Sequence, residues 1–194
     1  GNGLMRFFPK NFRPVCWPTA ARTSPRPPPK RGMKMLIKSF FSGFGGQGVL
    51  LMGYTLAYAA MLEDKFVTFL PAYGAEVRGG TAHCTVSISD EEIASPVSSS
   101  PEFITVMNNP ALEKFQNFIQ TGGGMFINTT LVEKRPLRGD IEIFEVPATK
   151  MAEDIGNIRT ANMIMLGAFI RQSGLVNIST ILDNMEEIFG ARLK

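Results

Sequence analysis

The residues best suited to chemistry are Ser42-Gly43-Phe44-Gly45-Gly46-Gln47-Gly48-Val49. Gly43, Gly45 and Gly48 have the spacing G-x-G-x-x-G. Glycine admits positive φ and lets a ligand come close to the backbone. The N–H groups that open a following helix favour an anion. Two readings follow: a phosphate or pyrophosphate site, or a tight strand-to-helix turn with no ligand. A second stretch, Tyr73-Gly74-Ala75-Glu76-Val77-Arg78-Gly79-Gly80, brings one tyrosine, one acid and one base. Arg78 is predicted to be a fixed positive charge, with Gly79 and Gly80 beside it to permit close approach. Glu76 is two residues away and offers Arg78 an ion pair instead.

Complete catalytic sets are missing from the pattern. A nicotinamide-dinucleotide site needs an acid at the end of the second strand to hold ribose hydroxyls. Here that strand reads Lys65 to Leu70 and ends before Pro71. No Lys follows Gly48, so a Walker loop is excluded as well. His83 is the only histidine; it falls on the polar face of a strand and is predicted to be a surface or interface residue. Cys16 and Cys84 are far apart and have no metal-ligand spacing. No catalytic residue and no metal ligand is assigned. The expectation is a domain that lends a surface to an active site carried elsewhere.

Several elements must position these residues. Residues 35–41 read as a first strand and 49–62 as a helix that is apolar nearly all round, so buried on more than one side. A second strand covers 65–70. Residues 81–89 alternate, with Ala82, Cys84, Val86 and Ile88 on one face and Thr81, His83, Thr85, Ser87 and Ser89 on a polar one. Phe103 to Met107 is a continuous apolar strand. Asn109-Pro110 opens a helix, with Asn as cap. Strands at 125–128 and 141–146, a helix from Ala148, and helices at 159–173 and 178–189 complete the order. This alternation predicts a Rossmann-like α/β fold, with a parallel or mixed sheet and helices on both faces. The glycine turn follows the first strand. Ligands bind such sheets at the carboxyl ends of the strands, where that turn and the 73–80 loop should converge. The apolar 49–62 helix and the Met163 to Ile170 run suggest a homodimer when the chain is isolated.

Composition divides the chain. Residues 1–34 hold eight basic residues, no acid and seven prolines, and are predicted to be an extension outside the fold, ahead of a natural start at Met33 or Met35. The body, 35–194, has 12 basic and 17 acidic residues, a net of −5. The basic pI near 9.0 therefore reflects the extension, and no nucleic-acid partner is inferred. No apolar run is long enough for a membrane span. Cysteine usage fits a reduced, cytoplasmic protein.

Four stretches occur in order: Gly43-Phe-Gly-Gly-Gln-Gly-Val49, Tyr73-Gly-Ala-Glu-Val-Arg-Gly-Gly-Thr-Ala82, Asn108-Asn-Pro-Ala-Leu112 and Thr160-Ala-Asn-Met-Ile-Met-Leu-Gly-Ala168. Together they resemble the gamma subunit, or gamma domain, of the 2-oxoacid:ferredoxin (acceptor) oxidoreductases, over residues 35 to about 190. The resemblance implies a complex that converts a 2-oxoacid and CoA to acyl-CoA and CO2, with 2-oxoglutarate favoured. It implies alpha and beta subunits that carry thiamine diphosphate and Mg, a ferredoxin-like subunit, iron–sulfur clusters, and ferredoxin or flavodoxin as acceptor. Gamma itself would bind none of these cofactors and would assist CoA and assembly. On this reading Gly43, Gly45, Gly46, Gln47, Gly48, Tyr73, Glu76, Arg78, Gly79 and Gly80 lie near CoA or its phosphates. The alternative is a stand-alone nucleotide-binding Rossmann-like module.

Overall fold

The structure, a computed structural model, describes residues 35–73, 81–95 and 99–190. Glu76, Arg78, Gly79, Gly80 and the 1–34 extension lie outside those residues.

Six strands are ordered β2-β3-β1-β4-β5-β6. They are β1 (Leu36–Phe44), β2 (Phe66–Tyr73), β3 (Thr81–Ser89), β4 (Phe103–Val106), β5 (Gly124–Asn128) and β6 (Glu142–Val146). β3 runs antiparallel to both its neighbours, and the remaining pairings, β1 with β4, β4 with β5 and β5 with β6, are parallel. The sheet is therefore mixed. Among the described residues the helices are α1 (Val49–Leu62), α2 (Asn109–Phe115), α3 (Ala148–Ile155), α4 (Ala161–Ser173), α5 (Ile178–Asp183) and α6 (Met185–Gly190), with a 3-10 turn at Ile158–Thr160.

α1 has the boundaries its uninterrupted apolar sequence predicts. It packs on β1, β2 and β3 and against α4 and α5, so its hydrophobicity on several sides is used within this chain. Phe41, Met52, Leu56, Phe126, Met165 and Phe169 form the centre of this larger core. On the opposite face α2 covers a smaller core of Phe40, Ile104, Leu112, Phe115, Met125 and Ile127.

Several expectations are corrected. β1 continues three residues beyond Phe41, so Gly43 belongs to the ladder, opposite Ala82. β2 continues through Pro71 to Tyr73; as an outer strand it tolerates a residue with no N–H. Much of the polar face of β3 is not solvated: Thr85, Ser87 and Ser89 are buried, short side chains standing between those paired with them on β1 and β2, Phe40 and Leu70, Lys38 and Thr68, and Leu36 and Phe66. The cap of α2 is Asn108, whose side chain accepts from the Ala111 N–H at 2.9 Å, rather than Asn109. The final helix divides at Asn184.

Gly53 sets the distance between α1 and the sheet. A Cβ there would run into the Cys84 sulfur and would lie 3.1 Å from Phe69. Cys84 is buried, its thiol donates to the Val49 carbonyl at 3.5 Å, and burial pushes its pKa up to about 12. It is a small apolar spacer rather than a nucleophile. Gly53→Ala should lower unfolding stability in urea by about 1–3 kcal/mol through overpacking. Gly167→Ala in α4, where a Cβ meets open space, should instead raise it by about 0.5–1 kcal/mol.

Candidate functional site

The chain leaves β1 through α1 towards β2 on one side of the sheet, and leaves β4 through α2 towards β5 on the other. Adjacent parallel strands with diverging connections define a switch point at their carboxyl ends, where such sheets bind ligands. The glycine turn and Asn108 both lie at this point.

Each glycine of the turn has a separate job. A Cβ on Gly43 would lie 2.6 Å from Gln47 Oε1 and 2.9 Å from both Met107 Cβ and Val49 Cγ1; its bare backbone makes room for the Gln47 side chain. Phe44 to Gln47 is a tight turn closed by Gln47 N–H to Phe44 O at 3.1 Å. Gly46 takes φ 97° in it, and neither Gly45 nor Gly46 would bring a Cβ within 4 Å of anything. Gly48, the N-cap of α1, is left-handed at φ 72°, and a Cβ there would overlap the Asn162 side-chain amide. Gly45 and Gly46 are thus the open positions, and Gly43 and Gly48 are already occupied by neighbours.

Gln47 folds back rather than out. Its Oε1 accepts from the Phe44 N–H at 2.7 Å and from Asn108 Nδ2 at 2.8 Å, and its Nε2 donates to the Met107 carbonyl at 3.3 Å. On the other side of the turn, Asn162 Nδ2 donates to the Gly48 carbonyl at 3.3 Å. One strand further along, Asn128 donates to Thr149 Oγ1 at 2.8 Å and to Met107 O at 3.4 Å. A row of side-chain amides follows the carboxyl edge of the sheet.

Neither α1 nor α4 has an acid in its first turn or a side-chain cap. The first-turn amides of α1 have no intrahelical acceptor, and its dipole puts about half a positive charge there. The electrostatics suit an anion. Tyr73 ends β2 at this same edge, opposite Ala82, and is 75 % exposed. Ala82 in turn pairs with Gly43, so Tyr73 stands two strands from the turn, and residues 74–80 of the expected loop lie outside the described residues.

Asn108 and Asn162 were not among the predicted site residues, although both lie within the four stretches quoted above. A signal was available: Asn162 is the one polar residue in Ala161 to Ile170. His83 also differs from expectation. It is half-buried, stacked on Phe40 at 5.1 Å and against Phe115 at 5.2 Å between centroids. Burial, with Lys114 adding to it, lowers its pKa below 6.5, and a bond with the Thr81 backbone works in the opposite direction. It is a packing residue under α2.

A mixed, doubly wound sheet with a backbone-lined turn at its switch point places this protein among α/β domains. The chain belongs to the pyruvate ferredoxin/flavodoxin oxidoreductase family, whose model matches residues 38–194. Ketoisovalerate oxidoreductase subunit VorA of Methanothermobacter thermautotrophicus is 40% identical over 134 residues, 69% of this chain but 28% of that protein. The 2-oxoglutarate synthase subunit KorC of Methanothermobacter marburgensis is 36% identical over 144 residues, 71% of this chain and 77% of that one. The crystal structure of a keto/oxoacid ferredoxin oxidoreductase gamma subunit from Geobacter sulfurreducens PCA superposes with a TM-score of 0.68 at 28% identity, covering 81% of this chain and 87% of the other. The chain thus spans about a quarter of VorA and most of the separate subunits.

Two outcomes test this geometry. Because His83 is depressed in the folded state, the unfolded chain takes up its proton first. Stability is full above about pH 6.5 and falls as pH drops towards the folded value. His83→Phe, which keeps the stacking, should flatten this part of a thermal-melt profile between pH 7.5 and 5.5. Gly48→Ala should cost about 1–3 kcal/mol in chemical denaturation, whereas Gly45→Ala should stay within about 0.5 kcal/mol of wild type.

Proposed function

We propose that this chain is the gamma subunit of a multisubunit 2-oxoacid:ferredoxin (acceptor) oxidoreductase, and that it presents the Gly45–Gly46 backbone to the phosphates of CoA. The complex would convert a 2-oxoacid and CoA to acyl-CoA and CO2, passing two electrons to ferredoxin or flavodoxin. The 2-oxoglutarate synthase relative, most of whose length this chain covers, supports 2-oxoglutarate as the oxoacid; the ketoisovalerate relative makes a branched-chain oxoacid the second reading. Thiamine diphosphate and Mg would sit on alpha and beta subunits and supply the decarboxylation chemistry, with iron–sulfur clusters on a ferredoxin-like subunit. Among the described residues of this chain no group of three His, Cys, Asp or Glu side chains could hold a metal ion.

The observation that carries the CoA reading is the open pair Gly45–Gly46 at the switch point, next to an uncapped helix with no first-turn acid. Backbone amides in that setting hold phosphate oxygens without a side-chain base. The domain would comprise residues 35–194. Arg78, flanked by Gly79 and Gly80, would add a bidentate charge-assisted contact, with Glu76 as its competing partner.

Gly45→Val is the cleanest probe, because it adds bulk where a Cβ meets nothing. In the assembled complex it should raise the Michaelis constant for CoA about tenfold, equivalent to one lost phosphate contact of roughly 1.4 kcal/mol. The constant for 2-oxoglutarate should stay within about twofold, an indifference that marks the loss as specific to CoA binding. Unchanged CoA kinetics together with weakened assembly would make the turn a subunit contact and remove the CoA role. Rates with 2-oxoglutarate, pyruvate and 2-ketoisovalerate in the same preparation identify the oxoacid.

A further inference from the structure

Two independent anchors hold the glycine turn, one at each end. The first is the Gln47 carboxamide. The direction of its hydrogen bonds is forced from outside the turn. Asn108 must accept the Ala111 N–H with Oδ1, since that bond caps α2. Its Nδ2 is then left to donate, and it donates to Gln47 Oε1. Gln47 must therefore turn its oxygen towards Asn108 and the Phe44 N–H, and its Nε2 towards the Met107 carbonyl. Each donor meets an acceptor in one orientation, and flipping either amide would set donor against donor. The second anchor is Asn162. Its buried amide takes the space a Gly48 side chain would need and donates to the Gly48 carbonyl. That carbonyl also accepts the Met52 N–H at 3.0 Å, the first hydrogen bond of α1.

From this arrangement we propose that Asn108 and Asn162 are positioning residues for the Gly45–Gly46 backbone, acting through Gln47 and Gly48 without touching a ligand. The inference rests on the CoA reading above for its kinetic consequence alone. α2 and β4 fix one end of the turn, α4 fixes the other, and the two unencumbered glycines are held between them. The Gln47 carboxamide bridges the ends of β1 and β4, where dinucleotide-binding sheets leave a crevice open. A ligand therefore meets this turn from its outer side. Pre-organisation of this kind lowers the ordering cost of binding, and a displacement of the turn by about 1 Å is enough to weaken a positioned contact.

The variant that separates these roles is Asn108→Ser. Serine caps a helix as well as asparagine does, but it is too short to donate to Gln47. Asn109→Ala is the control. Asn109 belongs to the same helix end and accepts from the Glu133 and Lys134 N–H groups at 3.1 and 3.3 Å, away from the turn. In the assembled complex, Asn108→Ser should speed hydrogen exchange of the Phe44 and Gln47 amides about tenfold, while the α2 amides keep their protection. It should raise the Michaelis constant for CoA about threefold with kcat unchanged, the signature of lost binding rather than lost chemistry. Asn162→Ser should act in the same direction through Gly48, and Asn109→Ala should do neither. Unchanged exchange at Phe44 and Gln47 in Asn108→Ser overturns the proposal whatever the role of CoA. Faster exchange with unaltered CoA kinetics also overturns it as a positioning device. Gly45→Val then tells which idea failed: if it too leaves CoA kinetics flat, the CoA reading is wrong, and if it raises the constant, only the anchors are dispensable.

Discussion

The amide of Gln47 joins parts of the fold that are distant in sequence. Its oxygen takes two donors, from β1's last residue and from the cap of α2, and its nitrogen serves the last carbonyl before that cap. One side chain therefore closes the turn on itself and ties β1 to β4, the two central parallel strands. Each of these hydrogen bonds contributes modestly, about 1 kcal/mol net. Their joint effect is geometric: the diverging ends of two strands are held at one separation, and α1 starts from a fixed point. Gly43 is a ladder glycine because this amide needs its space.

Much of this was readable from residue pattern. The limits of α1 were legible because fourteen residues from Val49 to Leu62 contain no strong breaker, and Gly48 precedes them in a conformation few other residues tolerate. β3 was legible from strict alternation over Thr81 to Ser89. Its burial was not. A polar face usually implies water, but here Thr85, Ser87 and Ser89 are short and stand between larger side chains of β1 and β2. Alternation reports which residues share a face, and the side chains that neighbouring strands and helices place beside them decide what covers that face. The extension of β2 through Pro71 was hidden for a related reason, since proline excludes a central strand but not an outer one.

The site was only half legible. The spacing of Gly43, Gly45 and Gly48 announced a strand-to-helix turn, and the turn is there. Spacing could not say which glycines face outward. Gly43 and Gly48 look equivalent to Gly45 in the motif, yet they are glycine because Gln47 and Asn162 fill the places of their side chains. Nor could one chain pattern show that Asn108 and Asn162, more than fifty residues apart, converge on the two ends of the turn. Those are tertiary contacts between α2, α4 and the turn. Periodicity carries no record of them beyond a lone polar residue on an apolar helix.

Pro71 has a further consequence, for growth rather than for folding. β2 is the outermost strand on its side of the sheet, and an exposed strand edge is a template on which another chain can lay down a strand of its own. A residue with no amide hydrogen interrupts that template two residues before β2 ends. One donor is therefore missing from this margin, which makes it a poorer template for continuing the sheet. Association with other chains is thereby directed to helices, loops and sheet faces, where side chains discriminate between partners in a way that a bare backbone edge does not.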